Sequence, residues 1–272
     1  MTLPVKRIFV FATIVFFAAC TQGKYAATNK VYNKQIKAYA KLLLEYPVHD
    51  SSGLPYAPEW VGTTNFSLRH PSYVIIHHTA QNSCEQTLRT FTLSRTQVSS
   101  HYVICRDGTV YHMLNDLLRG HHAGAGKWGK LTDMNSCSIG IEIDNNGNEP
   151  FSDKQMNSLL LLLGRLKRTF NIPQPNFIGH LDWAPGRKVD PSRFFSWKTL
   201  ADNDFGFWYD TTGVQVPENF NALQGLQLIG YNISKPASAI LSYKIHFVPQ
   251  DTTRVLNEAD QKIISSLVKK YQ

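Results

Sequence analysis

Residues 151–173, FSDKQMNSLLLLLGRLKRTFNIP, form the most strongly bounded segment of the chain. Ser152 precedes an apolar-periodic run and Gln155 follows three residues later, which is the pattern of a capping box. Pro173 closes the run. The predicted helix lies between two β-rich stretches. CSIGIEIDNNG ends in Asn and Gly before it, and the short NFIGH follows it. Upstream, SYVIIHH reads as a strand, and HYVICRDGTVYHML as two strands joined through the hairpin-favouring Asp-Gly pair. Between these, CEQTLRTFTLSR places Leu88, Phe91 and Leu93 at near-helical spacing. Strands and helices alternate, with one hairpin interrupting the order. The expected class is therefore α/β, a mixed central β-sheet flanked by helices. An apolar content of 43% with 18% charged residues is a globular composition.

The 272 residues suffice for one ordinary domain and a smaller one. The expected boundaries are 1–19 for a leader, 20–52 for a tether and N-terminal helix, 53–210 for the α/β domain and 211–272 for a small all-helical domain. In the second segment, Val31, Ile36, Ala38, Leu42 and Leu43 give a rough helical stripe that predicts a helix packing on the main domain. SSGLPYAPEW reads as loop. In the last segment, PENFNALQGLQLIGYNI, PASAILSYKIHF and NEADQKIISSLVKKY read as three short helices. Asn257 caps the last of them, and Ala259, Ile263, Ile264, Leu267 and Tyr271 share one face. About 55 residues are marginal for independent stability, so this piece is expected to pack on its neighbour.

The first 20 residues have the shape of an export signal: Lys6 and Arg7, an apolar stretch Ile8–Ala19, then Cys20. That stretch is too short to span a bilayer as a helix. FAAC resembles a bacterial lipobox, which makes Cys20 the expected lipidation site and the new N-terminus. Phe16 stands where such motifs usually carry Leu. Thr21 is not the Asp that resembles an inner-membrane retention signal, which tilts the expectation to an outer-membrane lipoprotein facing the periplasm of a Gram-negative envelope. Cys84, Cys105 and Cys137 remain, so at most one disulfide forms and one thiol stays free. The formal net charge of +8 suits an anionic partner. No dense Lys/Arg stripe interleaved with aromatics is present, and no nucleic-acid partner is expected.

Two strand ends carry the candidate chemistry. His77 and His78 end SYVIIHH, and neighbouring strand residues face opposite sides, so at most one of them can aim at a given site. His180 ends NFIGH, and Asp190 follows in LDWAPGRKVDP, where Pro191 biases it toward an extended backbone. Two imidazoles and one carboxylate can hold one zinc ion and leave a position for water. Amide hydrolysis also needs a base and a cation for the developing oxyanion. Glu142 in SIGIEID and Lys188 in the Asp190 loop are of the right types.

Together VIIHHTA, SSHYVICRDGTVYHML, HHAGAGKWG, NSCSIGIEIDNNG and FIGHLDWAPGRKVDP resemble, in order, the type 2 zinc-dependent N-acetylmuramoyl-L-alanine amidases, relatives of the peptidoglycan recognition proteins. The similarity runs from about residue 70 to 197, and is greatest to the lipoprotein amidases of the Gram-negative envelope. Their peptidoglycan-binding tail is similar to residues 211–272 only loosely. The resemblance implies His77, His180 and Asp190 as ligands of one zinc ion per chain, with Glu142 as acid/base and Lys188 as the second catalytic residue. It implies His122 in the substrate cleft, and Trp128 is expected to line that cleft as well. His78 is then structural and points to the other side of the sheet, while Asp182 is placed to orient a ligand from behind. Some members carry a tyrosine where Ser100 stands and lack the glutamate, so this chain falls in the glutamate class. His121 occupies the position of a tryptophan in many relatives, which alters one wall of the cleft. The implied partner is peptidoglycan or a muropeptide, cut between N-acetylmuramic acid and L-alanine, with the membrane reached through the lipid and a monomeric chain. The alternative is a recognition protein that binds peptidoglycan without cutting it. A zinc peptidase lacks its H-E-x-x-H signature here.

Overall fold

A computed structural model describes residues 23–45 and 61–272. The leader, Cys20 and the SSGLPYAPEW loop lie outside the described residues. The chain divides into two units, 1–62 and 63–272. The first contributes one described helix, α1 (Ala26–Glu45), none of whose residues is buried.

The second unit is built on five strands: β1 (Tyr73–His78), β2 (Tyr102–Ile104), β3 (Val110–His112), β4 (Ser138–Ile143) and β5 (Phe177–Gly179). Their order is β3-β2-β4-β1-β5. β1 runs parallel to β4 and β5, and β2 parallel to β4, while β2 and β3 form an antiparallel hairpin. This is the mixed sheet that the strand order predicts. The hairpin strands are shorter than their sequence reads: Cys105 already lies in the turn, its amide donating to the Thr109 carbonyl at 2.9 Å, and a disulfide joins it to Cys84. Cys84 opens α2 (Cys84–Thr92), and Cys137 is the free thiol among the described residues.

Side-chain parity divides the core between the two faces of the sheet. Val74 and Ile76 of β1 with Ile139, Ile141 and Ile143 of β4 meet α3 (Asp153–Phe170) through Leu159, Leu162, Leu163, Leu166 and Phe170. The Ser152–Gln155 capping box is present, and Asn171 ends the helix in a left-handed conformation. Each such buried side chain contributes about 1.5–3 kcal/mol relative to exposure. On the other face, Ile75 and Ile178 meet the chain's last helices. After two short helices, α4 (His180–Trp183) and α5 (Trp197–Ala201), come α6 (Ala222–Ile229), α7 (Pro236–Phe247) and α8 (Glu258–Tyr271). Leu226, Tyr243, Phe247, Ile264 and Leu267 from these helices share one core with Ile75, Ile178 and Trp183.

The expected apolar face of α8 is altered at one position: Ala259 is exposed and Asp260 is buried. Lys244 of α7 explains the exchange. Its ammonium is buried and held by Asp260 and Asp251, so an ion pair sits where sequence pattern alone gives a small apolar residue.

Candidate metal centre

β1 delivers His77 to the same face as Ile75, two residues before it, and sends His78 to the opposite face. There His78 Nδ1 accepts a hydrogen bond from the Ser192 amide at 3.1 Å. β5 ends at Gly179, and His180 is the first residue of α4. The loop after α4 returns Asp190, whose carbonyl accepts the Leu181 amide at 2.7 Å. These elements bring three candidate ligand atoms together. His77 Nδ1 lies 2.9 Å from His180 Nδ1 and 3.1 Å from Asp190 Oδ2, and His180 Nδ1 lies 3.0 Å from Asp190 Oδ2. All three residues are buried, and no other such group of His, Cys, Asp and Glu occurs among the described residues.

Hydrogen atoms cannot satisfy this triangle. If both imidazoles carry a proton on Nδ1, the two N–H groups oppose each other; if only one does, the other nitrogen faces the carboxylate lone pair against lone pair. One cation resolves all three contacts. A tetrahedral ion with bonds of ~2.0–2.2 Å asks for donors about 3.3–3.6 Å apart, so the triangle opens by only a few tenths of an ångström to hold one.

The far nitrogens of both rings have partners. His180 Nε2–H donates to the Ala123 carbonyl at 2.9 Å, leaving Nδ1 as a lone pair. His77 Nε2 lies 3.2 Å from His122 Nδ1, placed to donate to it whenever His77 Nδ1 is given to an ion, and His122 Nε2 lies 3.4 Å from Ser138 Oγ. Adjacent residues therefore prop both ligand rings. Asn135 Oδ1 in turn accepts from the amides of His122 at 3.1 Å and Ala123 at 2.9 Å. His122 fits because Gly140 beneath it has no side chain: a Cβ there would lie 2.4 Å from the imidazole.

His122 is packed against His77, and burial together with the His77 ring holds its pKa well below the ordinary histidine value. His77 is itself pushed down to about 4, by burial and then by His180. Burial alone would raise Asp190, but its close contacts with the His180 and His77 rings outweigh it and hold the carboxylate below its usual range. Neutral rings and an ionised carboxylate are the forms that bind a metal.

Glu142 sits beside the triangle. It is the register partner of His77 on neighbouring parallel strands, so both side chains project from the same face. Its Oε2 is buried without a hydrogen-bond partner. Burial, reinforced by the Asp190 charge, pushes its pKa up to about 8, while Lys188 opposes the rise. Lys188, half-buried in the Asp190 loop, thus exerts its charge on Glu142 as well as on His77.

Two expectations change. Trp128 does not join the group. Gly129, at φ 56°, turns the chain so that its amide donates to the Gly230 carbonyl. The Trp128 indole is thereby drawn against Tyr231, with ring centroids 5.0 Å apart. It lines a cavity of about 290 Å³ with Tyr73, at the opposite end of β1 from His77. Asp182 orients no ligand ring. It accepts from the Gly179 amide at 2.8 Å, Tyr231 Oη at 2.6 Å and His246 Nδ1 at 2.8 Å, and so ties the start of α4 to the C-terminal helices. His121 is exposed, and Ser100 is buried with its hydroxyl on the Gly140 carbonyl at 2.7 Å. Asn135, Tyr231 and His246 carry no local sequence signal that marks them for these roles.

Comparison with known proteins bears on the same residues. Residues 67–193 match the family model described as N-acetylmuramoyl-L-alanine amidase. Over that stretch the chain is similar to the N-acetylmuramoyl-L-alanine amidases. Among curated amidases, the Escherichia coli K12 N-acetylmuramoyl-L-alanine amidase AmiD is 29% identical over 233 residues, 73% of this chain and 82% of that protein. The Haemophilus influenzae 1,6-anhydro-N-acetylmuramyl-L-alanine amidase AmpD is 33% identical over 103 residues, 38% of this chain and 56% of its own length. The solved E. coli AmiD, in complex with anhydro-N-acetylmuramic acid-L-Ala-D-γ-Glu-L-Lys, superposes with a TM-score of 0.68 at 26% identity, covering 77% of this chain and 93% of that one. The Pseudomonas aeruginosa AMPDH3 structure shares the amidase fold with a TM-score of 0.68 at 23% identity, over 82% and 98% of the two chains. The amidase match spans all three candidate ligands, Glu142 and Lys188.

Proposed function

We propose that this chain is a zinc-dependent N-acetylmuramoyl-L-alanine amidase that hydrolyses the amide between N-acetylmuramic acid, or its anhydro form, and L-alanine of the stem peptide. The observation that carries the reading is the convergence of His77 Nδ1, His180 Nδ1 and Asp190 Oδ2 beside an unpartnered Glu142 carboxyl. The muropeptide bound in the E. coli relative supports the substrate class.

His77, His180 and Asp190 would hold one zinc ion, which supplies a Lewis acid for the carbonyl and lowers the pKa of water. Glu142 accepts the proton of the attacking water on its free Oε2. A carboxyl whose pKa has been moved toward neutrality is suited to giving that proton back, here to the departing L-alanine nitrogen. Lys188 faces the negative charge that develops on the carbonyl oxygen, and the partly desolvated site strengthens that attraction. His122, Ala123 and Asn135 hold the two imidazoles in place throughout.

For the chain's setting we propose a lipid anchor at Cys20 and a monomer on the outer membrane, facing the periplasm. The charged, apolar and small-residue order of residues 6–20 supports this. The alternative, a non-catalytic recognition protein, has no use for the Glu142 and Lys188 pair. Digestion of purified sacculi separates the two: the enzyme releases free stem peptides, detectable by mass spectrometry. Binding without release, with zinc supplied, would refute the proposal.

A further inference from the structure

The first unit poses a separate question. α1 spans 20 residues, about 30 Å at 1.5 Å per residue. Lys30, Lys34, Lys37 and Lys41 follow one another at intervals of four, three and four, which places them in a single row. Tyr32, Ile36, Tyr39 and Leu43 repeat the same intervals two positions later, about 200° around the axis. Val31, Ala38 and Leu42 widen that second row into an apolar arc of about 160°. Val31 is 57% exposed, Tyr39 54% and Leu43 66%. The sole acidic residue of the helix, Glu45, is its last and lies near Lys41.

We infer that α1 lies flat on an anionic lipid surface, apolar arc inward and lysine row outward. A helix that is polar on balance, with most of its apolar side chains opposite its lysine row (Leu44 falls on the lysine side and Gln35 within the apolar arc), bears the signature of an interfacial helix, and no described helix is long and apolar enough to cross a membrane. The tyrosines suit the headgroup level. Lysines on the water side remain within a screening length of the surface and feel its potential. Pairing with a second copy of α1 fits less well. The 32–43 repeat covers fewer than the three to four heptads that a coiled coil needs, and the apolar arc is wider than a coiled-coil seam. The inference does not depend on the amidase reading or on lipidation of Cys20.

The test uses the chain from residue 20 onward carrying Cys20→Ser, so that no lipid can be attached. Co-sedimentation is measured with vesicles of phosphatidylcholine alone and with phosphatidylglycerol mixed in. Binding is expected only to the mixed vesicles, weakening as salt is raised. A near-surface lysine is worth about fivefold in affinity, so changing all four to Gln should weaken binding by a hundredfold or more. That variant should still hydrolyse a soluble muropeptide at the parental rate. Ile36→Asp with Leu43→Asp should abolish binding to either vesicle. Three results overturn the inference: no vesicle binding, equal binding to both vesicles, or a dimer in light scattering that Leu43→Asp dissolves. Retention by purified sacculi instead of vesicles, lost in the lysine variant, would also overturn it and assign the row to the wall polymer.

Discussion

His122→Phe tests the account of how the ligand imidazoles are held. The substitution keeps a flat ring over Gly140 but removes the acceptor for His77 Nε2–H. A buried donor left without a partner costs about 1–3 kcal/mol. If that cost falls on the metal-bound geometry, zinc binding weakens by about 5- to 150-fold, at about 1.4 kcal/mol per decade. This range overlaps the 10–100-fold typical of groups that orient metal ligands. The assay is a competition titration of zinc against a chromophoric chelator, with circular dichroism confirming that the variant is folded. His122→Gln, which restores a carbonyl acceptor, should fall between the wild type and the Phe variant. Asn135→Ala should weaken binding in the same direction, because Asn135 holds the amides of both His122 and Ala123. The double variant should lose less than the sum of the two, since both changes act on one ring. A folded His122→Phe protein that binds zinc within about twofold of wild type would refute the reasoning, since an orphaned donor at that position cannot be free of cost.

Glu142→Gln should keep zinc affinity near wild type and lose hydrolysis of muropeptide, measured by chromatography of released peptide. The same variant reads the raised pKa through stability. The folded Glu142 holds its proton up to about pH 8, while the unfolded group releases it near 4.5. The metal-free wild type therefore loses stability as pH rises through this window, and its denaturation midpoint should fall below that of the Gln variant toward the alkaline end. Lys188→Gln should lower kcat by about a hundredfold with little change in melting temperature. Chelation should abolish activity and added zinc should restore it. Tyr231→Phe deprives Asp182 of a hydrogen bond at 2.6 Å, which should cost about 1.5–3 kcal/mol and lower Tm by about 5 °C in a calorimetric scan.

The parts of the site that depend on strand parity and on family motifs were legible in the chain. His77 is separated from His78 by the two-residue period alone, and the order of the motifs singles out His180, Asp190, Glu142 and Lys188. What could not be read depends on contacts between segments far apart. HHAG has no periodicity, so nothing in it tells a buried prop from a cleft wall. His122 packs against His77 because Gly140, on another strand, leaves room for its ring. Trp128 reads as a cleft aromatic until Gly129 folds it under Gly230, a hundred residues later. Asp182 finds Tyr231 49 residues on and His246 64 residues on, and Lys244 finds Asp251 and Asp260 in a segment that reads as apolar. The odd cysteine count limited the bridges to one, but only the approach of α2 to the hairpin selects Cys84 and Cys105.

The grip of Tyr231 and His246 on Asp182 bears on how this protein can be inherited. A tail joined by a free linker can be exchanged between genes as a cassette, leaving the hydrolase intact. Here the tail carries two of the three donors that satisfy a buried carboxylate two residues from a candidate metal ligand. A recombination event that replaced it would strand that charge unless the incoming piece brought a matching phenol and imidazole. Catalytic body and tail are thus bound to diverge in step.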